Sequence, residues 1–242
     1  MPVRSGMVSP SHWRIGIVAL FAALSGLATG RSLHAQTTEQ FWPTVNLYVG
    51  INDYSRFYFQ VQDTRENRQG QDLQICPYMD FYLKPMFGLR RENVEGADEA
   101  RSRPLLFRIG YNYIPAVSNP TEQRIVIELT PRLPLKAGFV ITDRNRGEFR
   151  FINGEFSTRY RNRLALERPV KIGGHTIDPY VRAEAYYDTR YNKWSQTALD
   201  IGAVFLIHRH WDLQSYFEHQ NNTSKAPNKT VEAIALEADL RF

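Results

Sequence analysis

The chain has 242 residues, of which 30 are lysine or arginine and 25 are aspartate or glutamate, giving a formal net charge of +5, and it has one cysteine. This length suits a single domain, and one cysteine excludes a disulfide within the chain. No compact run of lysine and arginine stands apart from matching acids, which argues against a nucleic-acid partner. Residues 1–35 hold three arginines and no carboxylate, so the rest of the chain has a charge of +2.

The first segment has the parts of a secretory signal peptide. Arg4 and Arg14 precede the apolar stretch Ile15–Ala28, and a polar stretch then leads to the small residue Ala35. A membrane-spanning helix needs about 20 apolar residues, which this stretch does not supply. We therefore predict that residues 1–35 are removed near Ala35 after export through the inner membrane, and that residues 36–242 form one domain.

Alternating apolar and polar residues continue through the remaining chain, with no helical period. A β-strand places alternate residues on opposite faces, so this pattern predicts strands with one apolar face. Several runs reach the roughly 9–11 residues that a tilted strand needs to cross a bilayer. About eleven runs can be counted: 45–51, 57–61, 73–83, 105–113, 125–129, 139–151, 159–167, 181–187, 199–207, 213–217 and 230–242.

Turn residues separate these runs and fall into two groups. Segments predicted as tight turns because their residues favour positive φ or end a strand are Asn52–Asp53, Pro131–Pro134, Gly173–Gly174 and His208–His210. Longer polar segments, predicted to lie outside the cell, are Thr64–Gly70, Pro115–Thr121, Asp188–Lys193 and Asn221–Lys229. The charged segment Arg90–Arg103 then falls on the periplasmic side, which usually has short turns.

These features predict an all-β protein, an antiparallel up-and-down transmembrane β-barrel of the bacterial outer membrane. Barrels of this kind have an even number of strands with both chain ends in the periplasm. The eleven runs therefore predict about 12 strands, with 10 as the next choice. Abundant aromatic residues with a negative mean hydropathy agree with this class, because only every second residue of such a strand faces lipid.

Charged side chains fall on the face opposite the apolar one. An arginine that faced lipid near the midplane would cost about 2–4 kcal/mol, so these side chains are predicted to face a lumen. The lumen residues that we predict to contact a solute are Arg144, Arg146, Arg159, Arg161, Arg163 and Arg182, with Glu148, Glu167 and Glu184 as their acidic partners.

Two interpretations of this lumen remain open. Clustered guanidinium groups would favour a small anionic solute, since they match carboxylate or phosphate groups in a bidentate fork. Alternatively, the interleaved carboxylates would form cross-strand ion pairs that fill a narrow barrel and conduct nothing.

The last strand, Thr230–Phe242, places alternate apolar residues on one face and ends on an aromatic residue. It resembles the terminal strand that the barrel-assembly machinery recognises in outer-membrane proteins, with Leu240 and Phe242 as the assembly signal. The expected partners are this machinery, outer-membrane lipid and a small anionic solute, and the expected state is a monomer. The strand is predicted to close the barrel against the first one.

A longer pattern carries a family resemblance. The segment Arg159–Pro169, with its arginine-asparagine-arginine strand, followed by Pro179–Tyr187, with its arginine-x-glutamate strand, resembles the bacterial family called domain of unknown function 2490. The resemblance spans roughly Phe41–Phe242 and implies a Gram-negative outer-membrane barrel without known catalytic residues. The charged segment Arg90–Arg103 departs from the compact hairpin expected there.

Two other classes of protein share parts of this pattern. An outer-membrane lipid-modifying enzyme would need a serine and a histidine near the membrane rim, and no such pair stands out among the candidates. These candidates are His175, His208, His210, His219, Ser157, Ser195 and Ser215. His208 and His210 alone are too few ligands for a metal site, and we expect neither a metal, a cofactor nor enzymatic activity.

A soluble periplasmic barrel that binds an apolar ligand would invert the two faces. Phe107, Ile109, Ile201 and Phe205 would then lie inside, and the arginines would lie in water. Alternation alone does not distinguish this fold from a membrane barrel, because both have one apolar face.

Overall fold

The computed structural model describes residues 36–66, 69–82 and 103–242. The predicted signal peptide and nearly all of the segment Arg90–Arg103 lie outside these residues. Within them, no helix is long and apolar enough to cross a membrane. The twelve strands are β1 (Gln36–Asn52), β2 (Ser55–Glu66), β3 (Gln69–Tyr82), β4 (Leu105–Ile114), β5 (Glu122–Pro134), β6 (Val140–Ile152), β7 (Glu155–Glu167), β8 (Val170–Ile172), β9 (His175–Asp188), β10 (Lys193–His208), β11 (Trp211–Asn222) and β12 (Lys229–Arg241).

Eleven of these strands form one closed barrel. Each wall strand pairs with its neighbours in chain order, except that β9 follows β7 in the wall, while the short β8 pairs only with β9. All pairs are antiparallel except β1 with β12, which closes the wall. The prediction of an all-β, mainly antiparallel barrel of about 12 strands is confirmed, with eleven strands in the wall and one beside it.

The closing pair explains why the wall has an odd number of strands. β1 and β12 run parallel from Gln36 opposite Lys229 to Tyr48 opposite Arg241. A parallel closure places the start of β1 and the end of β12 at opposite ends of the barrel, so no even count is needed. The eleven runs read from the sequence correspond to the eleven wall strands. We call the end that holds Phe242 the C-terminal end and the end that holds Gln36 the N-terminal end.

The two groups of connections that the turn residues predicted lie at opposite ends of the barrel. The turns at Asn52–Asp53, Gly173–Gly174 and His208–His210 lie at the C-terminal end, and the four longer polar segments lie at the N-terminal end. The tight turn predicted at Pro131–Pro134 was wrong by a few residues, because β5 continues to Pro134 and the turn follows it. A turn at Asn153–Gly154, where both residues have positive φ, joins β6 to β7.

The outer face of the wall carries apolar side chains on all its strands, and a hydrogen-bonded polar group of Asp143, Asn145 and Asn162 interrupts it on β6 and β7. Ile109 and Ile201, for example, are 40% and 39% exposed there. The apolar interior of the soluble-barrel alternative is therefore wrong for this chain. Other large apolar side chains exposed on the outer face are Val45, Ile127, Leu129, Phe149, Leu164, Val181, Leu199, Phe205, Phe217 and Leu236.

The chain terminus is held by the first strand. The backbone nitrogen of Gly50 donates to the oxygen of Phe242 at 2.7 Å, and the nitrogen of Phe242 donates to the oxygen of Tyr48 at 2.9 Å. Leu240 and Phe242 both lie on the outer face, with Phe242 71% exposed. The predicted packing of the last strand against the first is confirmed.

Candidate functional site: the charged lumen

The barrel encloses a polar cavity of about 650 Å³ to which every wall strand contributes side chains. Its lining extends from Glu66, Asp72 and Lys229, close to the N-terminal end, to Leu106 and Arg132, close to the C-terminal end. Inward-facing residues alternate with the apolar outer residues along each strand, so the same period that covers the outside with hydrocarbon fills the inside with polar groups.

All six arginines predicted from the sequence line this cavity. They stand on the inward face of three consecutive wall strands, and we call them the arginine wall. Its members are Arg144 and Arg146 on β6, Arg159, Arg161 and Arg163 on β7, and Arg182 on β9. Because β6, β7 and β9 are neighbours, residues far apart in the chain meet on one side of the lumen.

Glu148 lies beneath this wall, with no exposed side-chain surface. Its carboxylate oxygens lie 2.6 Å from Arg159 Nη2, 2.9 Å from Arg146 Nε and 3.3 Å from Arg161 Nη1. A buried carboxylate needs such partners, since an unpaired charge of low solvent access costs several kcal/mol. Glu148 thus holds three guanidinium groups in place from behind.

Glu184 on β9, two strands further along the wall, has the same role. Its oxygens lie 2.7 Å from Arg144 Nη2 and 2.8 Å from both Arg161 Nε and Arg163 Nη2. Arg161 therefore bridges the two carboxylates. Glu184 and Glu148 are both absent from the cavity lining, whereas their arginine partners belong to it. The surface that faces the cavity on this side is accordingly formed by guanidinium groups.

Glu167, the third predicted acidic partner, is not part of this arrangement. Alternation places Glu167 on the inward face of β7. It lies at the C-terminal end of that strand, however, opposite Val140 and Tyr180. It does not line the cavity. Alternation indicated its face correctly but carries no information on depth along the barrel.

Two further carboxylates extend the ion-pair network. Asp80 pairs with Arg108 at 2.6 Å and with Arg56 at 2.9 Å, while Glu128 lies 3.8 Å from Arg108. Glu128 also approaches two members of the arginine wall at 3.9 and 4.0 Å. In total seven arginines share four carboxylates, which leaves a net charge of 7 − 4 = +3.

A second, smaller group of ion pairs lies towards the N-terminal end. Glu122 pairs with Arg124 at 2.7 Å and also with Arg150, which reaches Asp188 at 2.8 Å. Asp188 in turn binds Arg190 of the β9–β10 loop at 2.8 Å. These contacts tie β5, β6 and β9 together, and sequence reasoning did not single them out as a group.

A stack of tyrosines lines the lumen on β1, β2 and β3. The ring centroids of Tyr48 and Tyr58 are 4.6 Å apart, and those of Tyr58 and Tyr78 are 5.1 Å apart. Arg56 lies over Tyr48 at 4.1 Å and Arg108 lies over Tyr58 at 4.3 Å. The three tyrosines are direct cross-strand neighbours, a relation that becomes visible only once the register is known.

Acidic side chains dominate the wall formed by β10, β11 and β12. Asp212 and Asp239 are cross-strand partners and share Arg241, at 2.8 and 3.2 Å. Glu237 follows on β12 and lines the cavity, as does Glu218 on β11. The lumen is thus divided into an arginine-rich side and an acidic side.

The histidines do not extend this site. His208 and His210 lie at the β10–β11 turn with ring centroids 5.5 Å apart, and His219 pairs with Glu232 at 2.6 Å on the outer face. Among the described residues, no group of three or more histidine, cysteine or acidic side chains is arranged to hold a metal ion. Cys76 is a buried free thiol on the inward face of β3.

Comparison with known protein families gives a family assignment. A family model described as "Protein of unknown function (DUF2490)" matches residues 39–231. No curated protein and no solved structure matches the chain. The match covers most of β1 to the start of β12. It includes the whole arginine wall and, from the acidic side of the lumen, Asp212 and Glu218, whereas Glu237 and Asp239 follow it.

Proposed function

The chain belongs to the DUF2490 family, whose description assigns no activity, and we propose that it is an outer-membrane β-barrel whose lumen is a narrow pathway for small anionic solutes. The observation that carries this proposal is the layering of the arginine wall. Guanidinium groups face the cavity, and the carboxylates that compensate them are buried behind.

The outer face supports a membrane location. Large apolar side chains are exposed on the outside of a closed wall whose inside is polar. In water this surface would expose a large apolar area, which soluble monomers rarely do. In a bilayer the same surface is the favourable one, and among the described residues every wall strand pairs with a neighbour on both sides, so the wall is closed.

The charge balance supports an anionic solute. The network of seven arginines and four carboxylates leaves three positive charges uncompensated, and buried carboxylates hold the guanidinium groups of the arginine wall in position. A guanidinium group presents parallel donors that match a carboxylate or phosphate. The ion pairs therefore stabilise the barrel and also orient the groups that would meet a solute.

The cavity volume limits the size of that solute. The cavity of about 650 Å³ is lined by side chains of eleven strands. This volume suits a small molecule and excludes a folded protein. Uncharged side chains on the remaining walls, such as Gln60, Gln62 and Gln74, offer donors and acceptors without fixing a charge.

Two measurements test the two parts of this proposal. Fractionation of cells tests the location: we expect the protein to stay with outer membranes in high salt and to be released only by detergent. Release by salt alone would contradict the membrane assignment. Planar-bilayer recording of the refolded protein tests the pathway: we expect discrete conductance steps, and their absence in a correctly folded sample would refute a lumen open to ions.

A further inference from the structure

Two glutamines with open amide groups line the lumen on β2 and β3. Gln62 and Gln74 are direct cross-strand partners, and both belong to the cavity lining. Both side chains are half-buried, yet within the described part of the chain neither takes part in a hydrogen bond. Each amide has two donors and an acceptor oxygen, and amides of low solvent access are normally hydrogen-bonded. The pair therefore offers polar groups to a molecule inside the lumen.

An indole ring lines the same cavity. Trp42 on β1 is half-buried there, whereas Trp194 and Trp211, the other tryptophans among the described residues, are 55% and 42% exposed on the outer face. Nε1 of Trp42 donates to the side-chain oxygen of Gln40 at 2.8 Å, so the polar atom of the indole is satisfied within the wall. The rest of the ring adds an apolar surface to a mainly polar lumen, which water alone does not require.

The strands of this group lie across the lumen from the border between β7 and β9. In the ring of eleven wall strands, β2 is five strands from β7 in one direction and five from β9 in the other. Eleven strands about 4.8 Å apart and tilted by about 40° place opposite walls roughly 22 Å apart, and side chains from both walls narrow this gap to roughly 10 Å. A single small molecule can therefore contact both walls.

Two arginines at that border keep donors for an anion. The guanidinium group of Arg182 lies 3.7 Å from the centre of the Tyr180 ring and donates to Gln214 at 3.3 Å, and it has no carboxylate partner within the described residues. Arg163 binds one oxygen of Glu184 through Nε and Nη2, both at 2.8 Å, so its Nη1 keeps its donors. Both arginines line the cavity on neighbouring strands. Like the two glutamines, they lie in the middle half of their strands, which places the two groups at similar depth.

A sugar that carries one anionic group matches both walls. Its carboxylate or phosphate accepts hydrogen bonds from guanidinium groups. Its hydroxyls donate and accept, as the amides opposite do. The C–H face of its ring is an apolar surface that suits an indole. A simple inorganic anion would use the arginines but would leave the two glutamines and Trp42 without a partner.

We propose that the lumen binds a small anionic sugar. Its carboxylate or phosphate binds Arg163 and Arg182, its hydroxyls bind Gln62 and Gln74, and its ring packs on Trp42. This inference rests on the proposed function for access to the lumen, and it narrows the anionic solute to one that also carries several hydroxyl groups.

Trp42 itself can report the binding without any conductance measurement. Trp13→Phe, Trp194→Phe and Trp211→Phe together leave it as the sole tryptophan of the chain. The protein is refolded in an amine-oxide detergent, which has neither a sugar nor a carboxylate that would compete. The probes are D-glucuronate, D-glucose, which has a hydroxymethyl group in place of the carboxylate, and cyclohexanecarboxylate, which lacks the hydroxyls. We expect a saturable change in Trp42 emission, with a Kd for glucuronate about tenfold lower than for either other probe.

Variants locate the two ends of the site. Arg182→Gln should lower the affinity for glucuronate to that for glucose. Gln62→Leu combined with Gln74→Leu should lower it to that for cyclohexanecarboxylate, and Gln74→Leu alone serves if the double variant does not refold. Gln123→Leu makes the same change on the outer face of β5 and is the matched control, which should leave glucuronate binding unchanged.

The possible outcomes separate the two proposals. Equal affinity for glucuronate and cyclohexanecarboxylate, or no binding of any probe, would refute the anionic-sugar site, and conductance would still decide the pathway. Equal affinity for glucuronate and glucose would refute the roles of Arg163 and Arg182. Saturable glucuronate binding without conductance would refute the pathway and leave the site standing.

Two further results bear on the details of the site. Tighter binding of glucose 6-phosphate than of glucuronate would support the same site and identify phosphate as the anionic group. A loss of binding in Gln123→Leu equal to that in the lumen variants would overturn the assignment to Gln62 and Gln74.

Discussion

Nη2 of Arg159 lies 2.6 Å from an oxygen of Glu148, a carboxylate with no exposed side-chain surface. The arginine reaches towards the cavity, and the glutamate lies behind it in the wall. This layering lets one side of the lumen present positive charge although most of its arginines are ion-paired. It also ties the charge of the lumen to the stability of the barrel.

Replacing Glu148 should destabilise the barrel strongly. In Glu148→Gln, Arg146, Arg159 and Arg161 lose a shared buried partner, and removing one member of a buried ion pair costs about 3–5 kcal/mol. Urea unfolding of the refolded protein in detergent measures this loss.

The matched control is Glu232→Gln, which breaks the exposed pair with His219 on the outer face. Exposed pairs contribute about 1 kcal/mol or less, so this variant should unfold nearly as the wild type does. Similar losses in both variants would contradict the view that Glu148 supports the arginine wall.

Replacing Arg163 should weaken anion preference with little effect on folding. Arg163 binds Glu184, which keeps Arg144 and Arg161 as partners in Arg163→Gln, so this buried carboxylate remains paired. We expect the anion-to-cation permeability ratio in planar bilayers to fall several-fold, because one of the guanidinium groups that line the cavity is lost. Arg65→Gln, on the outer face of β2, should leave the ratio unchanged, and an equal fall in both variants would point to general charge effects.

Gly110 should tolerate no side chain. A Cβ at this position would lie 2.2 Å from Cδ1 of Tyr78 and 2.5 Å from the backbone oxygen of Pro77. Gly110→Ala must displace the tyrosine stack and the neighbouring strand, and overpacking of this kind costs about 1–3 kcal/mol. Unfolding in urea should show this loss.

Gly147 provides the control for that substitution. A Cβ there would meet its nearest neighbour, the backbone oxygen of Ile127, only at 3.9 Å. Gly147→Ala should therefore retain wild-type stability. If it were destabilised as much as Gly110→Ala, the close approach to Tyr78 would not be the cause.

A disulfide can test the parallel closure. Val45 and Ala238 are register partners on the outer face, and paired residues lie within the roughly 4.4–6.8 Å between Cα atoms that a disulfide spans. With Cys76→Ser as background, Val45→Cys combined with Ala238→Cys should form an intramolecular disulfide, seen as a mobility shift that reductant reverses. Val45→Cys with Leu236→Cys is displaced by two residues, about 7 Å, and should remain reduced. Preferential crosslinking of the displaced pair would contradict the register.

The period of two was enough to predict the barrel wall and its faces. All six arginines predicted to contact a solute line the cavity, and residues such as Ile109 and Ile201 lie outside. The strand count was read as even because the usual bacterial closure is antiparallel. The parallel pairing of β1 with β12 depends on contacts between the two ends of the chain, to which local alternation is insensitive.

Depth and register were the parts of the site that sequence reasoning missed. Glu167 is on the inward face but lies too near the C-terminal end of the barrel to join Glu148 and Glu184. The two glutamines Gln62 and Gln74 become neighbours only through the pairing of β2 with β3. The face on which a residue lies follows from the alternation along the chain. Its position along the barrel axis depends on how neighbouring strands are shifted relative to each other, which the alternation does not encode.

The reversal potential of the wild-type protein in a planar bilayer with a potassium chloride gradient tests the central claim most directly. The arginine wall predicts that chloride carries most of the current, so the reversal potential should have the sign of the chloride equilibrium potential. A reversal potential with the sign of the potassium equilibrium potential would contradict a lumen whose exposed charge is set by Arg144, Arg161, Arg163 and their neighbours.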